Sequence, residues 1–149
     1  MKTTILFFSL IFAISCNRSD NNSEFQSTEI TFTEIGKGEL SGNGTENIAQ
    51  SNLAINNQTD WESLMNQMNS FNNVTNTFTE TTIDFENYTI IAIFLEVKLN
   101  GWTITINDIT ENENNLSISV TESELETTVI SQPFHIVKIP KTNKEIVLE

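Results

Sequence analysis

Few residues in this chain have side chains able to do chemistry. Its one histidine, His135, lies in Gln132-Pro133-Phe134-His135-Ile136-Val137. Nucleophilic catalysis would set it beside a Ser or Cys, with a third group orienting the ring. Ser131 is close in sequence, but no Gly-x-Ser-x-Gly turn exposes a nucleophile. His135 is therefore expected to be structural. The one cysteine, Cys16, leaves no partner for a disulfide, and with a single histidine there is no zinc ligand set. Asp108, Glu111 and Glu113, and the group Glu122, Glu124 and Glu126, lack the twelve-residue spacing and central Gly of a calcium loop. They read as solvated acidic turns. A glycosidase-like carboxylate pair remains open, because carboxylate separation is a property of the fold. No Gly-rich phosphate loop is present, so no catalytic residue, metal or cofactor is expected.

The first residues carry a different chemistry. Met1-Lys2-Thr-Thr precedes an apolar run, Ile5 to Phe12. That run is too short to span a bilayer, which needs about 20 residues. It reads as the core of an export signal. Ala13-Ile14-Ser15-Cys16 closes it and resembles the lipobox of bacterial lipoproteins, with Ala13 where Leu or Val is usual. The resemblance implies cleavage after residue 15, acylation of Cys16, and residence on a bacterial membrane, the outer membrane in the first instance. The other reading is an ordinary secretory signal with an incidental cysteine.

The chain has 149 residues and a formal charge of −13; losing residues 1–15 removes Lys2 alone and leaves −14. Nucleic acid and anionic lipid head groups would both be repelled. Membrane residence would then come from the acyl chains on Cys16. Residues 16–27 are polar and read as a lipidated cysteine and flexible tether, and residues 28–149 as a single globular domain.

The elements that must position any site are mostly strands. Tyr88 to Leu99 is the longest apolar run beyond the signal, apolar on both parities up to Glu96, as in a strand covered on both faces. Asn100-Gly101 follows, a signal for a tight hairpin. Trp102, Ile104 and Ile106 then alternate with polar residues and are expected to pair back on that run. Leu116, Ile118 and Val120 form a further strand through a turn at Asn112 to Asn115. Two more strands are read at Glu29 to Leu40 and Ile48 to Ile55. Val129 to Ile139 is a strand that Pro133 should confine to an edge, and Lys144 to Leu148 is a last short one. Thr59 and Glu62 have capping-box spacing at the start of the one helix. Trp61, Leu64, Met65 and Met68 give it an apolar stripe. The expected fold is α+β: a mostly antiparallel, sandwich-like β-sheet domain of six to seven strands with one amphipathic helix.

Three motifs carry a resemblance. They are Ile83-Asp84-Phe85-Glu-Asn-Tyr88 before an apolar strand, Gly101-Trp102-Thr103-Ile104 at the turn, and Gln132-Pro133-Phe134-His135-Ile136-Val137 near the end. With the upstream helix they resemble the C-terminal domain of the protease-complex subunit PrcB family, over residues 61–148. Family members commonly show Thr-Gly-Gly-Tyr at the turn; here Asn100 replaces one Gly and Trp102 the Tyr. Asn tolerates positive φ, so the turn survives. The resemblance implies no catalytic residues and a lipoprotein that assembles with a secreted protease.

The expected function is a membrane-anchored, extracytoplasmic, non-enzymatic interaction or scaffold module, accessory to a secreted protease complex. Two alternatives stand beside it. One is a small-ligand or glycan-binding lipoprotein that stacks its ligand on Trp61 or Trp102. The other is a carboxylate-dependent extracellular hydrolase or inhibitor. If a protein docks, the expected surface is the exposed edge near Pro133, with Lys138 and Lys141 as local positive charges.

Overall fold

The computed structural model describes residues 25–149, so the signal segment, Cys16 and the first part of the tether lie outside the described residues. The strands are β1 (Thr28–Glu29), β2 (Thr33–Ser41), β3 (Ser51–Ile55), β4 (Tyr88–Phe94), β5 (Trp102–Glu111), β6 (Asn115–Glu124), β7 (Ser131–Pro140) and β8 (Glu145–Leu148). One α-helix, α1 (Gln58–Met68), and a 3-10 turn (Val74–Thr77) lie between β3 and β4. The fold is α+β, and two four-stranded sheets form a sandwich. One sheet has the order β1-β5-β6-β8 and the other β2-β7-β4-β3. All pairings are antiparallel except β6 with β8.

The β2-β7-β4-β3 sheet is the middle of three layers, which explains the apolar runs on both parities of its central strands. Ile90, Ala92 and Phe94 of β4, with Phe134 and Ile136 of β7, pack with Trp61, Leu64 and Met68 of α1. Ile91, Ile93, Val137 and Ile139 point the other way, onto Ile104, Ile106, Ile109, Leu116 and Ile118 of the facing sheet. Burying such side chains contributes about 1.5–3 kcal/mol each. The stripe on α1 is core: Trp61 is fully buried, stacks on Phe78 at 6.0 Å and donates its indole N–H to the Thr81 carbonyl at 2.8 Å. Trp61 is thereby removed as a ligand-stacking surface. The helix starts two residues earlier than its capping-box spacing suggests, because Asn57 rather than Thr59 is the cap and accepts from the Asp60 N–H at 3.0 Å.

Three strand expectations are corrected. Asn100 and Gly101 do adopt positive φ, 70° and 65°, but the turn joins two different sheets rather than a hairpin. β4 is already paired on both sides, by β7 and β3, so β5 crosses to the facing sheet and pairs with β6. The expected first strand is likewise divided, into β1 in one sheet and β2 in the other, which brings the strand count to eight.

The third correction concerns Pro133. β7 is a central strand, held by β2 on one side and β4 on the other. The Leu95 N–H donates to the Pro133 carbonyl at 3.0 Å. In a regular antiparallel pair the partner N–H would return the bond, and proline has none. The side-chain amide of Gln132 supplies the donor instead, 2.8 Å from the Leu95 carbonyl, and also reaches the Ile48 carbonyl at 2.9 Å. Gln132 is 2% exposed. A proline is thus accommodated in a central strand because its neighbour's side chain completes the ladder.

Candidate functional site

The motif residues are distributed over the fold rather than gathered at one point. Asp84 closes the turn into β4: its carboxylate accepts from the Glu86 N–H at 3.0 Å and the Asn87 side-chain amide at 2.7 Å. Those hydrogen bonds, the Asn87 one foremost, hold its pKa below the usual carboxylate value. Phe85 is half-buried against the helix-side core, and Phe134 is buried in it, 6.0 Å from Phe94. All three position the central sheet.

His135 is buried, 2% exposed, on the face of β7 turned toward the other sheet. Its Nδ1 accepts the Ile106 N–H of β5 at 2.7 Å, and its Nε2 lies 3.0 Å from a carboxylate oxygen of Glu34 on β2. The first bond requires an unprotonated Nδ1, so Nε2 carries the proton and donates to Glu34. Burial pushes the pKa down, Glu34 opposes that shift, and Lys37 adds to it. A proton on Nδ1 would also face the Ile106 N–H, donor to donor. Both ring nitrogens are engaged, and the ring clasps three strands across the two sheets. This is a structural role.

Lys138 and Lys141 do not form an open positive edge. Lys138 is ion-paired with Glu80 and sits 4.7 Å over the Tyr88 ring. Lys141 donates to the Asn56 carbonyl at 3.0 Å. The expected docking edge at Pro133 to Ile139 is overturned, because every backbone group there belongs to a paired central strand.

Exposed apolar residues point to another surface, one that sequence reasoning missed. After Phe94 the chain runs on beside the start of β7: Lys98 and Ser131 exchange backbone hydrogen bonds at 2.8 and 3.1 Å, and the Gly101 N–H donates to the Val129 carbonyl at 2.7 Å. Residues 95–101 and 125–131 therefore form a paired extension at one end of the sandwich. Nine large apolar side chains are exposed among the described residues, and five sit on this extension: Val97, Leu99, Leu125, Val129 and Ile130. Leu99 is 65% exposed. Singly exposed apolar residues are ordinary, whereas several together on one segment form the kind of patch that interaction surfaces present. Glu124 and Glu126 line a shallow cleft there with Leu125 and Val129. The available signal in the sequence was alternation in Glu96-Val-Lys-Leu99 and the pair Val129-Ile130 beside polar turns.

Trp102 stands at the border of this end. It is half-buried, with the Lys98 ammonium 4.2 Å over its ring and Glu122 paired to that ammonium at 2.6 Å. One ring face is thus covered by the protein's own cation. Beside it, Trp102, Ile104 and Leu125 line a groove of about 210 Å³ with Lys37, Gly38 and Glu39. β5 runs from this end to Glu111, which pairs with Thr28. The apolar end and the entry of the chain into the fold are separated by the length of that ten-residue strand, about 30 Å at 3.4 Å per residue. Phe25 and Ser27 already touch the entry end: Lys144 lies over the Phe25 ring, and Ser27 hydrogen-bonds Asn112.

Among the described residues no group of three His, Cys, Asp or Glu side chains converges as a metal would require, and no helix is long and apolar enough to cross a membrane. No family model matches the sequence, and no curated protein or solved structure matches it either.

Proposed function

We propose that this protein is a lipid-anchored, extracytoplasmic interaction module without catalysis of its own, and that it docks a partner protein through the apolar end formed by Val97, Leu99, Leu125, Val129 and Ile130. The observation that carries this reading is the concentration of exposed apolar side chains on one paired extension. The resemblance to the PrcB C-terminal family supports it independently and makes a secreted protease the first partner to seek. The lipobox-like segment ending at Cys16 supplies the anchor. Acyl chains contribute about 0.8 kcal/mol per buried CH₂, which suffices where two or more chains are attached. With the tether entering at Thr28, the docking end faces away from the bilayer, where a partner can reach it.

The test is a pull-down from membranes with Leu99→Ser combined with Ile130→Ser. Both side chains are exposed, so the fold should survive, which a thermal melt checks. Loss of a specific co-purifying protein is the expected result. An unchanged set of partners, with the fold intact, sinks the proposal. In the second arm, Cys16→Ala should release the protein from the membrane fraction; if it stays there, the anchor is elsewhere.

A further inference from the structure

The sandwich has a side seam where β2, an edge strand of one sheet, runs past β5 of the other without pairing to it. β1 and the following Ile30 cover β5 only from Ile109 to Glu111. Nearer the apolar end, Thr103 and Thr105 direct their backbone groups toward β6, as the Leu125 N–H bond to the Gly101 carbonyl sets the alternation. Trp102, Ile104 and Ile106 direct theirs outward. Ile106 is taken by His135. Trp102 and Ile104 are hydrogen-bonded to no strand on that side, where β2 passes without pairing, and their backbone edge borders the groove lined by Trp102, Ile104, Leu125 and Gly38.

Groove size and local charge define what fits there. About 210 Å³ is below the ~300–1,000 Å³ of pockets that hold drug-sized ligands. It is comparable to the ~150 Å³ apolar cavity that accepts a benzene in another protein. One apolar side chain of Leu or Phe size suits it. Glu39 lines the groove, and Glu124 and Glu126 flank Leu125, all exposed and without an ion pair among the described residues. Two cations stand at the groove and both are engaged: Lys37 hydrogen-bonds Thr105, and Lys98, over the Trp102 ring, is paired with Glu122.

We infer that the seam takes an extended, cationic segment of a partner protein, which adds as a short strand to the Trp102–Ile104 edge and seats one apolar side chain in the groove. Strand addition supplies the main-chain hydrogen bonds, and a pocket at alternate positions supplies the specificity. Lys or Arg residues flanking the apolar one meet Glu39, Glu124 and Glu126 and steer the approach. This rests on the reading of the protein as an interaction module and adds the chemistry of what it binds.

The probe is a synthetic peptide with alternating Lys and Val around a central Leu, titrated into the isotopically labelled full chain and followed by amide and indole N–H shifts. The expected result is a saturable shift of the Trp102 indole and of the Gly38, Ile104 and Leu125 amides, with the Trp61 indole unmoved. Replacing the central Leu by Ser, or Leu125 by Asp in the protein, should weaken binding about tenfold or more, the usual loss for a central anchor. Glu39→Lys with Glu126→Lys should lower affinity and flatten its salt dependence. A thermal melt verifies that each variant folds. The inference is overturned if no saturable shift occurs, or if the Ser peptide binds equally well, which would mean bulk charge attraction. It is equally overturned if Trp102 responds to concentration alone, through pairing of two copies, or to oligosaccharide rather than peptide. Shifts confined to Leu99, Val129 and Ile130 would overturn the seam while leaving the apolar end as the docking face.

Discussion

Gln132 offers the sharpest test of how this fold tolerates Pro133. Replacing Gln132 by Leu keeps the volume nearly constant, so cavity and overpacking terms stay small. What is lost is one donor shared between the carbonyls of Leu95 and Ile48. The Leu95 carbonyl is buried with no other donor opposite it, because Pro133 has no N–H. A buried acceptor left unpaired costs about 1–3 kcal/mol. Ile48 is half-buried, so water can recover much of its share. The expected loss is about 1.5–3 kcal/mol, or about 5–10 °C in Tm for a chain of this size. Pro133→Ala alone restores an N–H opposite Leu95 but releases the unfolded chain, worth about 0.4–1 kcal/mol in the other direction; it should be close to neutral. In the double variant the new N–H takes over from the missing amide and should recover about 1 kcal/mol. Chemical and thermal melts of the four proteins form a double-mutant cycle. If Gln132→Leu is as stable as the parent, or the double variant loses the sum of the two single changes, the ladder-completion argument fails.

His135→Leu removes the acceptor of the buried Ile106 N–H and should cost about 1–3 kcal/mol at neutral pH. The folded pKa of His135 lies below its ordinary 6.5, so the unfolded chain binds more protons and stability rises with pH. The wild-type contribution is full above about pH 6.5 and is lost as pH falls through the lowered folded value. The gap between wild type and His135→Leu, measured by melts from pH 7.5 to 5, should therefore narrow on acidification; a constant gap would refute the assigned tautomer. Gly101→Ala puts a side chain at φ 65° with its Cβ 2.5 Å from the Thr127 hydroxyl, and should cost about 1–3 kcal/mol. An unchanged Tm would mean that the crossover turn relaxes freely.

Much of the architecture was legible in residue patterns. The two apolar parities of Tyr88 to Leu95 marked a doubly covered strand, the helix stripe was core, and the hairpin at Asn112 to Asn115 formed as its spacing implied. These depend on local periodicity, which a strand or helix imposes on side-chain direction whatever lies beyond it. Asn100-Gly101 likewise took the positive φ its residues favour. What the pattern did not contain was the partner of each strand. A tight turn reverses the chain, but whether it returns to the same sheet depends on which edges are already occupied, and β7 and β3 had taken both edges of β4. Pro133 indicated an edge because a proline lacks a donor; a glutamine one residue earlier changed that outcome, and its reach to Leu95 exists only after the strands are assembled. The apolar end arose in the same way: Val97, Leu99, Val129 and Ile130 are ordinary strand residues in sequence, and become an exposed cluster because the two segments pair beyond the end of the core that would have covered them.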